Sequence, residues 1–512
     1  MLVSRAEMLA LEEAIFASGP DAEALMESVG CAMAKVLRRD QPDFRKFTVL
    51  VYVGRGHNGG DALVVARVLR EAGAHVTLRL AHPLGKLAPL TARMLTRVPA
   101  DVPREWIDAD VAPRADRGPV DLVIDGLLGL NAMGPLRPRE RAACRELNAL
   151  RRGRLAGRVV AIDLPSGLDS ETGEADADAV RADLTLTVGF AKRGLVADDA
   201  ANFVGRLAII HLREFARAAD KLSIYDSDHD RVADPLALAP LLPPRDFDSH
   251  KGRFGRIGIL AGSEGFTGAA VLATLGALRG GAGLVTLFVR RAIYPIVAAA
   301  APPEAMVTPI DQPRDLLAAK LDVLALGPGL GRADADEICD LVARFPGPAV
   351  VDADALNLVA AHRDRAALLD HDAGPRLLTP HPGEMARLFP FASEHARAGT
   401  ARKFTASHPR VTLLLKGART IVAQHGLPLS YNPTGTPGMA TGGMGDVLTG
   451  MCAALLGQGL APYDAARLGA WLGGRAAEQA IEDRESEPSL LPTDVVAHLG
   501  HAFRDLWRPD AF

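Results

Sequence analysis

Short apolar runs recur along the chain, each followed by a polar turn and then by a helical pattern. Residues 47–53 form such a run. They close on Gly54-Arg55-Gly56-His57-Asn58-Gly59-Gly60-Asp61, with a helix expected over 62–72. Residues 75–81, 120–124, 158–162 and 184–188 repeat the pattern, two of them closing on Asp125 and Asp163. Continuous apolar runs of strand length, alternating with helices, predict a doubly wound parallel sheet. Two amphipathic helices, broken at Ser18-Gly19-Pro20, precede it between Ser4 and about Arg39.

The same rhythm resumes further on, with strands expected at 256–260, 284–289, 323–326, 349–351, 377–378, 411–415 and 421–422. A small-residue helix ending at Gly280 is suited to close packing. The loops between, such as Gly327-Pro328-Gly329-Leu330-Gly331, should gather at the carboxyl edge of the sheet, where open α/β folds bind ligands.

At 512 residues the chain exceeds one ordinary core. Periodicity fades in the charged, Ala-rich stretch 214–234, so we place a boundary near Lys221, with domains at 1–220 and 221–512. The net charge of −4 gives no reason to expect a nucleic acid or a membrane surface as partner. Cys31, Cys144, Cys339 and Cys452 are scattered, which suits a reducing compartment. The chain opens on a capping box at Ser4-Arg5-Ala6-Glu7, and no apolar run is long enough to span a bilayer, so a cytoplasmic protein is expected.

The densest chemistry lies at 432–450, where a Gly-, Pro- and Thr-rich loop runs into a helix at Asp446. Its unpaired amides and the helix dipole suit an anion, and Gly442, Gly443 and Gly445 let the backbone close on a phosphate. The dipole should keep Asp446 ionised, ready to take a proton from a substrate hydroxyl. An ordinary helix cap is the plainer reading. No Gly-x4-Gly-Lys-Ser/Thr occurs, and Lys416, at a strand end, is placed to meet a nucleotide. Gly54-x-Gly56-x-x-Gly59 has the dinucleotide form, but the second strand ends in His82-Pro83 rather than an acid, which weakens an NAD-dehydrogenase reading. Asn58, Asp125 and Ser166 would offer only oxygen ligands, suited to a hard cation of low charge. Asp125 and Asp163 could equally cap loops.

Gly56-His57-Asn58-Gly59-Gly60-Asp61 with Asp163-Leu164-Pro165-Ser166-Gly167-Leu168-Asp169 resembles the NAD(P)H-hydrate epimerase family over about residues 1–215. That family inverts C6 of the hydrated nicotinamide ring. The resemblance implies a Rossmann-like fold and a potassium ion at Asn58, Asp125 and Ser166. It also implies hydrate contacts at His57, Asn58, Gly59, Gly60, Asp61, Gly129, Leu130, Asn131, Ala132, Met133, Gly134, Pro135 and Asp163. Asp163 is the candidate proton shuttle. His57, Ala62 and Asn131 depart from the family pattern.

Asp352-Ala353-Asp354-Ala355-Leu356-Asn357 and Thr379-Pro380-His381-Pro382-Gly383-Glu384, with the glycine loops around them, resemble the NAD(P)H-hydrate dehydratase family over about 226–505. The resemblance implies a ribokinase-like α/β domain with nucleotide contacts at Lys416, Gly417, Ala418, Arg419, Thr420 and Gly445. It implies hydrate contacts at Ala270 (or Ala269), Gly329, His381 and Asp446. Substrates would then be NADHX, NADPHX and ADP, with Mg2+, in a homo-oligomer. Asp446 would deprotonate the C6 hydroxyl, which is phosphorylated and then expelled, giving AMP and phosphate. The rivals are a vitamin-precursor kinase of the same fold and a first half that only binds.

Overall fold

The computed structural model describes residues 1–19, 21–41, 43–108, 119–132, 134–152, 157–226, 229–370, 373–390 and 396–507. The chain divides into two compact units, 1–229 and 230–509.

The first unit is built on seven parallel strands. In spatial order they are Arg104–Trp106, His75–Leu80, Thr48–Val53, Leu122–Gly126, Arg158–Ile162, Leu184–Val188 and Arg206–Ile210. The chain runs outward from Thr48–Val53 to one edge, then returns to lie on its other side as Leu122–Gly126. The carboxyl ends of these two strands therefore flank a topological switch point, where a crevice opens. Leu122–Gly126 and Leu184–Val188 are buried along their whole length, as strands covered on both faces must be. A separate parallel bridge joins Leu2–Val3 to Ala191–Lys192, with Val3 opposite Lys192.

The helix expected over 62–72 starts earlier, at His57, and ends at Glu71. Gly56 caps it, and the missing Cβ of Gly59 lets this first turn sit against Gly54, whose carbonyl oxygen a Cβ would approach to 2.2 Å. His57 to Asp61 are thus helical.

The second unit carries ten strands in the order Arg231–Val232, Ser430–Tyr431, Ile421–Gln424, Val411–Leu415, Arg376–Leu378, Ala349–Val351, Val323–Leu326, Arg256–Leu260, Leu284–Arg290 and Met306–Ile310. All pairings are parallel except the two made by Ile421–Gln424. The direction of winding reverses between Arg256–Leu260 and Val323–Leu326, so the loops leaving these strands flank the second switch point. The small-residue helix Thr267–Arg279 makes its closest approach to another helix, Met444–Gly457. A Cβ on Gly450 would lie 1.9 Å from the Ala273 carbonyl oxygen, and one on Gly276 2.2 Å from that of Val447. This glycine-lined crossing fixes the height at which Asp446 enters the site.

Candidate functional site

At the first switch point the Asp125 carboxylate is wholly buried. One oxygen accepts from the Ser166 hydroxyl at 2.7 Å and the Leu127 N–H at 3.2 Å, and the other from the Ser166 N–H at 2.8 Å. Ser166 Oγ also accepts the Leu128 N–H at 3.0 Å, while Asn58 Nδ2 donates to the Leu128 carbonyl at 2.8 Å. That bond turns Asn58 Oδ1 toward Gly129, where an added Cβ would lie 3.4 Å away. Asn58, Asp125 and Ser166 therefore do converge. Burial, only partly offset by the Ser166 and Leu127 hydrogen bonds, pushes Asp125 up to about 6. A cation beside it would relieve that cost.

Asp163 ends its strand with a left-handed φ of 64°, rare for a residue with a Cβ, and its N–H donates to the Leu186 carbonyl at 2.8 Å. Its carboxylate accepts from the ammonium of Lys192, whose side chain is fully buried. The same ammonium donates to Thr187 Oγ1 at 2.9 Å and to the Val188 carbonyl at 3.3 Å. Two more carboxyl groups face this pair. Asp61 is raised well above the usual carboxylate range, first by burial, then by the charges of Asp163 and Glu12. Glu12 is pushed up to about 7 by burial and by Asp163, against the Lys192 charge. Lys192 and Glu12 are the residues here that sequence reasoning misses. Glu12 leaves a weak trace, an acid one turn from Met8 on a helix whose Met8, Leu11 and Ile15 are buried.

His57 is exposed, while Asn58, Gly59 and Gly60 are buried. Leu130 turns its side chain into the protein, whereas Asn131, Ala132, Gly134 and Pro135 are exposed; Met133 lies outside the described residues. Gly129, Ala132, Gly134 and Pro135 line a cavity of about 270 Å³ together with Leu164, Pro165 and Gly167.

In the second unit Gly443 caps the helix Met444–Gly457 with φ 97°, and Asp446 lies in its first turn. The dipole does not keep Asp446 an ordinary carboxylate, contrary to the sequence expectation. Burial first, then the neighbouring Asp352 charge, push it up to about 7, against the opposing pull of Lys416. Lys416 Nζ donates to Asp352 Oδ1 at 2.8 Å and lies 3.9 Å from Glu384. Burial would lower the ammonium, but Asp352, Glu384 and Asp446 together raise it, so it stays charged. Gly445 faces this pair, since a Cβ there would stand 3.3 Å from Lys416 Nζ.

The turn after Lys416 is held from beneath by Arg397, which donates to the carbonyls of Leu415, Lys416 and Arg419. The Arg419 side chain points inward and donates to the Pro433 carbonyl at 3.3 Å, leaving the turn's backbone as its outward face. Thr420 Oγ1 closes the turn on the Gly417 carbonyl at 3.2 Å. His381 caps the helix Pro382–Leu388 by accepting the Gly383 N–H on Nδ1 at 3.0 Å. That fixes the tautomer with the proton on Nε2, which lies 3.4 Å from Glu384 Oε1 on a half-exposed ring. At the switch point Ala269, not Ala270, is the alanine beside Gly329: its Cβ would lie 3.1 Å from a Cβ built there. Ala270 is fully buried and faces Gly262.

A family model described as NAD(P)H-hydrate dehydratase matches residues 257–499, and one described as YjeF-related protein N-terminus matches 22–194. A bifunctional NAD(P)H-hydrate repair enzyme Nnr from Moorella thermoacetica is 36% identical over 508 residues, covering 94% of this chain and 92% of the relative. The chain belongs to the bifunctional NAD(P)H-hydrate repair enzymes. The Escherichia coli member of this repair family is 36% identical over 490 residues, covering 93% of this chain and 88% of its own. Among solved structures, an ADP/ATP-dependent NAD(P)H-hydrate dehydratase from Bacillus subtilis co-crystallized with ATP/Mg2+ is similar, with a TM-score of 0.48 and 30% identity. It covers 55% of this chain and all of that one. Among the described residues of this repair-family chain, no helix is long and apolar enough to cross a membrane.

Proposed function

We propose that the first unit interconverts the two C6 epimers of hydrated NADH and NADPH, and that the second dehydrates the S epimer at the expense of ADP. The observation that carries this reading is Asp446, pushed up to about 7 at a glycine-lined helix N-terminus beside the Lys416 ammonium. A base titrating near neutrality, amides that accept developing negative charge, and a fixed ammonium are the parts a phosphoryl transfer to a hydroxyl requires.

In the second unit Asp446 takes the proton of the C6 hydroxyl as its oxygen attacks the terminal phosphorus of ADP. Backbone amides of Gly442 to Gly445 face the transferred group, and Lys416 with the 417–420 turn holds the nucleotide. The C6–O bond then breaks, phosphate leaves, and loss of the C5 proton restores the dihydropyridine, giving AMP, phosphate and NAD(P)H. A Mg2+ held mainly by the nucleotide's phosphates would need at most one or two carboxylates from the chain. That ion would supply charge neutralisation on the transferred group.

In the first unit the hydrated carbon is a hemiaminal, so its hydroxyl can depart with push from the ring nitrogen and return on the other face. Asp163, ordered by Lys192, moves the proton on and off that oxygen. Asn58, Asp125 and Ser166 fit a potassium ion, since an all-oxygen set surrounds one buried carboxylate. The ion would supply positive charge at the switch point. We place the working protein in the cytoplasm as a homo-oligomer.

The test is incubation of the full chain with ADP and an epimer mixture of hydrated NADH. Full return of NADH absorbance with matching AMP supports the reading; a stable phosphorylated product would make the second unit a simple kinase.

A further inference from the structure

Asp352 follows the strand Ala349–Val351 and is almost fully buried, so neither substrate can reach it. Both of its carboxylate oxygens are engaged by groups of the nucleotide site. Oδ1 accepts from Lys416 Nζ at 2.8 Å and Oδ2 from the Thr449 hydroxyl at 2.8 Å. Thr449 lies on the same helix as Asp446, one turn further in, and is itself buried. The missing side chain of Gly445 opens onto the pair, since a Cβ there would stand 3.5 Å from Asp352 Oδ2 as well as 3.3 Å from the ammonium.

We propose that Asp352 is a positioning residue for the dehydration, tying the Lys416 ammonium on one oxygen and the Asp446 helix, through Thr449, on the other. The inference rests on the reading of Asp446 as the base. A buried carboxylate held in this way does two things. It sets where the ammonium stands relative to the phosphate, and it places a fixed negative charge beside Asp446.

The groups that face Asp446 across the packed elements are Asp352, Asp354 and Lys416. Glu384, on the helix Pro382–Leu388, reaches the site through Lys416. Asp354 is itself engaged, accepting the Gly331 N–H at 2.9 Å. Removing the Asp352 charge withdraws a like charge from Asp446 and frees the ammonium to approach it. Both effects make Asp446 a stronger acid, and a weaker base at working pH.

The experiment is the pH profile of kcat for the full chain with saturating ADP and the S epimer. In the wild type activity falls on the acid side with an apparent pKa near that of Asp446. In Asp352→Asn this limb moves down by about one pH unit, with kcat at neutral pH reduced and KM for ADP raised. Lys416→Met, which removes the opposing positive charge, moves it up. Thr449→Val keeps the charges and leaves the limb in place.

An Asp352→Asn limb at the wild-type position, or a Thr449→Val limb displaced as far as that of Asp352→Asn, overturns the proposal. Should Asp352→Asn not fold, an unmoved limb in Lys416→Met overturns it instead. A wild-type profile with no acid limb near neutrality contradicts the assignment of the base itself, a separate result.

Discussion

The buried ammonium of Lys192 donates to the carboxylate of Asp163, a residue held at a left-handed φ of 64°. Val3 pairs with Lys192 along the backbone, so the start of the chain helps to hold that ammonium in place. Breaking a buried pair from one side leaves an uncompensated charge. Lys192→Met should therefore cost about 3–5 kcal/mol of stability, read as a lowered unfolding midpoint in urea. Asp163→Asn breaks the same pair from the other side and should carry a comparable loss of stability. Its folded fraction should dehydrate the S epimer at the wild-type rate and leave the R epimer unconverted except by its slow spontaneous exchange. Complete conversion of a mixture at the wild-type rate would remove Asp163 from the epimerisation.

Glu12 gives a dependence on pH whose sign is fixed by the direction of its shift. Burial raises it from 4.5 to about 7 in the folded chain. Between those values the folded state holds a proton the unfolded state has lost, so stability falls as pH rises through that window and stays reduced above it. Glu12→Gln removes that cost. Its melting temperature should match wild type at pH 4 and exceed it at pH 8, by a free energy of up to about 3 kcal/mol. Equal melting temperatures at pH 8 would place Glu12 in water.

Potassium can be tested without an activity assay. An ion bound only by the folded state stabilises it by mass action. The melting temperature should rise with KCl beyond the rise seen with tetramethylammonium chloride at equal ionic strength. Asp125→Asn, which removes the one carboxylate of the set, should abolish the difference. An identical response in both salts would leave Asp125 as a loop cap only.

Gly445 and Gly443 separate steric from conformational demands. Gly445→Ala puts a methyl against the Lys416 ammonium, with no demand for positive φ. It should fold normally and raise KM for ADP by about tenfold, equivalent to about 1.4 kcal/mol. Gly443→Ala forces a Cβ into a φ of 97° and to 2.6 Å from Leu272. It should lower stability by at least about 1–2 kcal/mol, seen in the melting temperature before any change in nucleotide affinity.

Much of this is legible in the sequence because parallel strands buried on both faces are written as uninterrupted apolar runs. Each delivers its loop to one edge, so Asn58, Asp125 and Ser166 could be grouped before any coordinates. What escapes is whatever depends on packing between distant segments. Lys192 follows its strand as an ordinary basic residue, and only the fold reveals that its ammonium ends on Asp163. The strength of Asp446 as an acid reads the wrong way, because the dipole is local and visible while the burial and the Asp352 charge are supplied by other strands. The choice between Ala269 and Ala270 turns on which faces Gly329, a matter of helix phase at its first turn.

The central claim is that Asp446 takes the proton of the hydroxyl that is phosphorylated. Asp446→Asn keeps the size of the side chain and removes its basicity. The direct measurement is the rate of NADH return from the S epimer with ADP, alongside calorimetric binding of ADP to the same preparation. The account predicts ADP affinity within about threefold of wild type and a rate lower by about a thousandfold, within the range of general-base catalysis. Wild-type turnover in Asp446→Asn, with ADP still bound, would contradict it.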